Sequence, residues 1–281
     1  MAKAFSVASW NVEHFGDQVT PQRTANIVSF IEQQDADVVA IYEVEGKRVW
    51  RELMDGLPGY SWFITEGQNT QEILLGTASG ITAFVTQKVE FSSRDSYMRP
   101  GALMSVRHED EIYTLLFLHV ASSTDPRGFG LRQDMVDRAF KFKQETVDVV
   151  AAAANDQPNF VFLGDLNAMG LEYPYDQPGG PGTPISRDGV DASHEITRLS
   201  YAGSKAGMRL LTKTHDVTWR SKSDTSNLDH VVAASHLQFK QFSGKDVDVR
   251  GWPTLATVAE QNAWVDDFSD HGLLYFEVQE V

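Results

Sequence analysis

The chain has 281 residues, with 24 Lys plus Arg against 39 Asp plus Glu, a formal net charge of −15 and no cysteine. That composition excludes a disulfide scaffold, a zinc–thiolate centre and a cysteine nucleophile. With 42% hydrophobic and 22% charged residues it also excludes global disorder.

Phe5 to Trp10 (FSVASW) alternates and is β-prone, and Val38 to Val44 (VVAIYEV) is a near-continuous apolar run of buried-strand length. Between them, Arg23 to Gln34 carries helical periodicity, with Thr20-Pro21 as cap and first turn. Lys47 to Leu57 reads as a second helix. Ser79 to Thr86 and Val89 to Phe91 read as a pair of strands, and Leu103 to Arg107 and Ile112 to Val120 (IYTLLFLHV) as two more around the acidic turn Glu109 to Glu111. Arg132 to Ala154 is the longest helical stretch, and the strand Phe160 to Leu163 (FVFL) runs into Gly164-Asp165-Leu166-Asn167. The segment 172–189 is rich in Pro and Gly and reads as an irregular inserted loop, because strand-like segments resume at Leu228 to Ala233 and Leu273 to Val278. Buried strands spread along the whole length predict a single two-sheet α/β domain over 1–281. No apolar run approaches the roughly 20 residues of a bilayer span, so no membrane span is expected. Met1 to Ser6 lacks the apolar core of a signal peptide. The compartment stays open between the cytoplasm and a secreted or periplasmic form whose signal has been removed, and the chain is read as a monomer.

Polar residues gather at strand ends: Asn11, Glu43, His119, Asp165, Asn167, Asp229, and Asp270-His271. Sheets fix such residues while the adjoining loops leave them open to a substrate. Hard oxygens from Glu43 and Asp270, with amides from Asn11 and Asn167, suit Mg²⁺, Mn²⁺ or Ca²⁺. Imidazoles at His119 and His271 beside acids supply an acid–base pair near pH 7, which phosphoester hydrolysis requires. A carboxylate inside VVAIYEV is costly to bury without a partner, which favours a ligand role for Glu43 over a strand-edge charge. His119 on an apolar strand, taken alone, is more often a core histidine. The histidines at 14, 108, 194, 215, 230 and 236 are assigned structural or solvent-exposed roles.

The ordered blocks W-N-V-E-H-F (10–15), I-Y-E-V (41–44), L-H-V (118–120), G-D-L-N (164–167), N-L-D-H (227–230) and S-D-H-G (269–272) resemble the endonuclease/exonuclease/phosphatase superfamily, of which deoxyribonuclease I is a member. The resemblance implies a four-layer α/β/β/α sandwich, two mostly antiparallel sheets face to face with outer helices, and divalent-metal phosphoester hydrolysis. Carried over by position, it implies metal ligation by Glu43 with Asn11 and Asp270, and orientation of water and phosphate by Asp165 and Asn167. It pairs Asp229 with His271, makes His119 a second catalytic histidine of the deoxyribonuclease I branch, and makes Arg99 a phosphate contact. Trp219 resembles a T-W pair of the family but reads as core.

The basic stretch Arg127, Arg132, Arg138, Lys141 and Lys143 offers Arg132 as a further substrate contact, although interleaved acids make a solvated helix face an equal reading. A nuclease cleaving DNA or RNA is therefore expected, with nucleic acid as the partner. The alternative is a phosphatase or phosphodiesterase acting on a small-molecule or lipid-headgroup phosphoester. A catalytically silent interaction module ranks last, since every expected position holds the expected residue type.

Overall fold

The computed structural model describes residues 2–67, 71–92, 98–122, 126–168 and 194–280. One six-stranded sheet contains, in spatial order, β13 (Asp248–Arg250), β14 (Leu273–Gln279), β1 (Lys3–Phe15), β2 (Val38–Val44), β4 (Glu72–Ala78) and β3 (Tyr60–Ile64). The other contains β5 (Thr82–Lys88), β6 (Gly101–His108), β7 (Glu111–His119), β8 (Phe160–Asp165), β12 (Asp229–Ala234) and β9 (Met208–Leu210). Neighbouring strands run antiparallel except for β1 with β2 and β7 with β8. Those two parallel pairs bring the C-terminal ends of four strands to the same edge.

Both sheets are covered on both faces, which is why their strands are apolar throughout. In β7, Tyr113, Leu115 and Phe117 enter the core between the sheets with Val7, Tyr42, Leu75 and Leu163. The intervening Leu116 and Leu118 pack outward with Phe162 and Val232 against Met135, Ala139 and Phe140 of α3 (Pro126–Phe142) and Leu199 of α5 (His194–Lys205). On the far side Trp10, Ile41 and Leu74 meet Ile27 and Ile31 of α1 (Pro21–Glu32), Val49 and Leu53 of α2 (Lys47–Gly56), and Trp264 of α6 (Val258–Asp267). The result is the four-layer sandwich that the resemblance implied.

Thr20 caps α1, its side chain accepting from the Arg23 backbone N–H at 3.2 Å with Pro21 in the first turn. Thr257 and Glu260 form a reciprocal capping box on α6. The long helical stretch passes through a π-helical turn, Lys143–Val147, before α4 (Asp148–Ala154). Among the described residues no helix is long and apolar enough to cross a membrane.

The structure differs from the sequence reading in several elements. Val89–Phe91 is a 3₁₀ turn, not a strand, and β5 starts at Thr82. Strand β3 was not expected, because Tyr60–Ile64 is an edge strand with only partly buried side chains. Helices α5 and α6 were also missed. No residue of α6 is fully buried, so it carries little periodic signal. The Pro- and Gly-rich segment 172–189 lies outside the described residues.

Asp246, just before β13, ties that segment to β9 and the chain after it, accepting from Arg209 Nη1 at 2.8 Å, Thr212 N and Oγ1 at 3.0 Å each, and Gln241 Nε2 at 2.9 Å. Burial opposes its charge, but these donors outweigh burial and lower its pKa from 3.8 to about 2. A depressed carboxyl stabilises the fold above its unfolded pKa. Replacing Asp246 with Asn is therefore expected to cost about 1–3 kcal/mol near neutrality. Chemical denaturation across pH should show the difference from wild type shrinking as pH falls from about 4 toward about 2.

Candidate active site

The strand alternation that builds the core also aims the site. Residues 113, 115 and 117 face the other sheet, so His119 at the end of β7 does too, and the same parity places Asp165 after Val161 and Leu163, and Asp229 before Val231 and Ala233. In β2 the inward residues are Val38, Ala40 and Tyr42, which would send Glu43 outward toward the helices. Glu43 instead adopts φ +63°, and pairing with both neighbouring strands shifts register there. Opposite it, Glu13 and His14 have φ +45° and +46°, inside the matching register shift of β1. These left-handed residues form a bulge that turns Glu43 and Glu13 into the cleft.

The cleft encloses about 380 Å³; β1 and β2 contribute Glu13, His14 and Glu43, β7 and β8 contribute His119 and Asp165, and Gln71, Arg99, Ser122, Asn167, Trp219, Ser226, Leu228, Asp270 and His271 complete the lining. Asn11 lies beneath it and bridges the two halves, its Nδ2 donating to Glu43 Oε1 at 3.1 Å and to Asp165 Oδ2 at 2.9 Å. Its Oδ1 accepts from the Glu13 backbone N–H at 3.0 Å. In this arrangement the Asn11 amide ties the Glu43 and Asp165 carboxylates together. Glu43 Oε2 accepts from the His14 backbone N–H at 2.8 Å.

His271 Nδ1 bonds Asp229 Oδ2 at 2.8 Å, and its Nε2 faces Asp165 Oδ2 at 3.8 Å and Asp270 Oδ1 at 3.9 Å. The pair foreseen from sequence is formed. His119 Nε2 stands 3.6 Å from Glu43 Oε1 and 3.7 Å from Asp165 Oδ2, which favours the tautomer with its proton on Nε2. Asn167, at φ +47°, donates Nδ2 to Val120 O at 3.0 Å, and its backbone N–H to Asp165 Oδ1 at 3.1 Å. Arg99 reaches the cleft with its guanidinium bonded to Gln71 Oε1.

The two histidines do not share a pKa near neutrality. Burial, reinforced by the positive charges of Arg99 and His271, drives His119 well below 6.5 and keeps it neutral. Burial also opposes protonation of His271, but the Asp229 and Asp165 carboxylates outweigh it and raise the ring to about 10. Desolvation lifts Asp165 to about 7. One neutral imidazole, one imidazolium and a carboxyl poised near neutrality divide acid and base roles within a few ångströms.

Glu13 and Asp270 are both raised, first by burial; Asp270's charge adds to the rise of Glu13, and Glu43 adds to both. Asp270 Oδ2 accepts from Trp219 Nε1 at 2.6 Å, and its Oδ1 has no partner among the described residues. Acids that repel one another around a free carboxylate oxygen fit a hard divalent cation.

Two sequence expectations change. Arg132 does not reach the cleft: it is 1% exposed and pairs with Glu195 Oε1 at 2.5 Å, because α3 turns that face into the core. Trp219 is a cleft residue, not core, and pins Asp270. Sequence reasoning missed Glu13 and assigned His14 to the background, although both lie in the W-N-V-E-H-F block. Gln71, Ser122 and Ser226 carried no signal. His230 is structural as expected, its ring bonded to the carbonyls of Ala168 and Asn227.

A face-to-face sandwich with this cleft at its strand ends is the architecture of a phosphoester hydrolase. The chain belongs to the Endonuclease/Exonuclease/phosphatase family, whose pattern matches residues 8–271. Among solved structures, a D. rerio TDP2 humanized by 14 mutations is similar with a TM-score of 0.68 at 13% identity, covering 98% of this chain and 99% of that one. ANGEL2, a 2′,3′-cyclic phosphatase in complex with adenosine-2′,3′-vanadate, gives 0.64 at 14% identity over 98% and 96% of the two chains. D. rerio TDP2 complexed with single strand DNA product gives 0.62 at 14% identity over 98% and 99%. At these identities the likeness is one of fold. Curated protein sequences yield no match.

Replacing Asp229 with Asn should drop the His271 pKa from about 10 toward 6.5, as read by NMR titration of the ring. A raised imidazole stabilises the fold below its unfolded pKa and ceases to do so as pH rises through the folded value. The stability gap between wild type and Asp229→Asn should therefore narrow between pH 6.5 and about 10.

Proposed function

We propose that the chain is a divalent-metal-dependent phosphodiesterase and that nucleic acid is its substrate. The observation that carries this reading is the gathering of Glu13, Glu43 and Asp270 in one cleft, where burial and the charge of Glu43 raise both Glu13 and Asp270, beside a neutral His119 and a cationic His271. Glu43 and Asp270 would hold the cation, Mg²⁺ first with Mn²⁺ or Ca²⁺ as alternatives, which supplies charge neutralisation to the phosphate when bound. The protein's own groups do the rest. Asp165 takes the proton of the attacking water as its oxygen bonds phosphorus, the P–O bond to the leaving group breaks, and the His271 imidazolium, its ring fixed by Asp229, gives the leaving oxygen its proton, while the His119 Nε2–H and the Arg99 guanidinium donate to phosphoryl oxygens. Asn167, tied to Asp165 and Val120, orients the phosphate.

The fold likeness to a TDP2 holding a single strand DNA product supports the nucleic-acid reading. The small-phosphoester alternative draws support from Arg132: with that residue buried, Arg99 is the arginine lining the cleft among the described residues. A surface of net charge −15 repels a long polyanion.

Incubation with supercoiled plasmid, RNA and a bis-nitrophenyl phosphodiester, under Mg²⁺, Mn²⁺ or EDTA, tests the assignment. Plasmid nicking or RNA cleavage that EDTA abolishes is the expected result, and the apparent substrate constant should weaken only shallowly with salt, by about one unit of log–log slope per phosphate contact. Cleavage of the small ester alone at every salt concentration would replace the nuclease reading with the phosphatase one.

Glu43→Gln, nearly isosteric, should abolish hydrolysis and the rise in melting temperature that Mg²⁺ or Mn²⁺ gives the wild type, while circular dichroism stays unchanged. Full wild-type turnover in excess EDTA would rule out the metal.

His271→Ala and Asp229→Asn should each lower kcat by about three orders of magnitude or more, and the double variant should cost little beyond either. Additive losses would show that the two act separately.

A further inference from the structure

Lys213, in the connection between β9 and β10 (Trp219–Arg220), is a buried ammonium that the hydrolytic scheme leaves unused, and only 8% of the residue is exposed. Its backbone is anchored by a bridge to Val247, and its Nζ donates to the Asp229 carbonyl oxygen at 2.6 Å and to Asn227 Oδ1. From the other side Thr218 Oγ1 accepts the Leu228 and Asp229 backbone N–H groups at 3.0 Å each. Both peptide groups flanking the Asp229 side chain are thus fixed by side chains from one connection, just where Asp229 must meet His271. Burying an ammonium is expensive, and an apolar residue would fill the same space without that cost. The group that repays it is the Asp229 carboxylate, whose charge is the largest influence opposing the fall of Lys213 to about 8 on burial.

We propose that Lys213 is a positioning residue of the active site, clamping the Asn227–Asp229 turn through its bonds to the Asn227 side chain and the Asp229 carbonyl, so that the Asp229 carboxylate stays aligned on His271. The activity part of this inference rests on the function proposed above, and the placement part does not. His230, next along β12, is kept neutral by burial and by Lys213, so it does not compete for the Asp229 carboxylate.

The test uses the full chain with Lys213→Met, Lys213→Gln and Lys213→Arg. Met removes both charge and donor, Gln keeps a donor, and Arg keeps both. At near-wild-type melting temperature, Lys213→Met should lower kcat at least about tenfold with KM and the half-saturating Mg²⁺ concentration unchanged. Lys213→Gln should lie between, and Lys213→Arg should restore most of the loss. In an Asp229→Asn background Lys213→Met should cost little more.

Independently of turnover, the far-downfield proton resonance of His271 Nδ1–H should be present in wild type and Lys213→Arg, and lost or moved upfield in Lys213→Met and Lys213→Gln. Should Lys213→Met fail to fold, Lys213→Gln carries the test alone. An unchanged kcat and an unmoved resonance in a folded Lys213→Met or Lys213→Gln protein would overturn the proposal. If the wild type hydrolyses none of the phosphoesters, the proposed function fails, and the resonance still decides the placement of Lys213.

Discussion

A carboxylate buried between two sheets must be surrounded by groups that tolerate its charge, and Asp165 imposes that requirement on the whole molecule. It is 2% exposed, and it draws Asn11 from β1, the Asn167 backbone from its own loop, and the imidazoles of His119 and His271 from β7 and the turn before β14. Burial is the largest influence on its charge and lifts Asp165 to about 7, while His271 and the Asn11 amide oppose that rise. The register of β7, β8 and β12, which sets His119 and Asp229 directly opposite Asp165, is consequently inseparable from the site. Gly164 shows how tight that arrangement is: a Cβ there would come within 2.2 Å of Leu118 O.

Much of this was legible because long apolar runs mark strands buried on both faces. IYTLLFLHV and FVFLGD place His119 and Asp165 at the ends of such strands, but a run without alternation does not tell which face they take, and the structure supplies that. The six ordered blocks named residues that the structure gathers at the cleft, from Asn11 beneath it to His271 on its wall. The pairing of Asp229 with His271 is found at 2.8 Å. What the blocks cannot carry is the backbone conformation that breaks the alternation. The left-handed φ values at Glu13, His14 and Glu43 decide which acids face the cleft, and no residue type among them announces such a conformation.

The remaining differences arise where a local pattern meets a tertiary competitor. Arg132 belongs to a basic stretch and reads as surface, yet Glu195 on α5 draws it inward, and that partner lies 63 residues away. Trp219 reads as core by hydrophobicity, but an indole also carries a donor, and the carboxylate of Asp270 claims it. The acid–base logic expected of two histidines survives in altered form. Their burial is equal in kind, but only His271 has a carboxylate at each ring nitrogen, while His119 also faces the positive charges of Arg99 and His271, so the two rings separate into opposite charge states.

The pairing of β1 with β14 sets the order in which this protein can assemble. Both are interior strands of their sheet, joined from Lys3 opposite Gln279 to Ser9 opposite Leu274, and Ser269 Oγ and the His271 carbonyl bond Asn11 and Trp10 across the same seam. Contacts that span nearly the full length of a chain are slow to form. During synthesis β1 must wait with one edge open until β14 has been made, while β5 to β8 can already pair among themselves. Until then the open β1 edge is the surface on which a chaperone, or aggregation, would act.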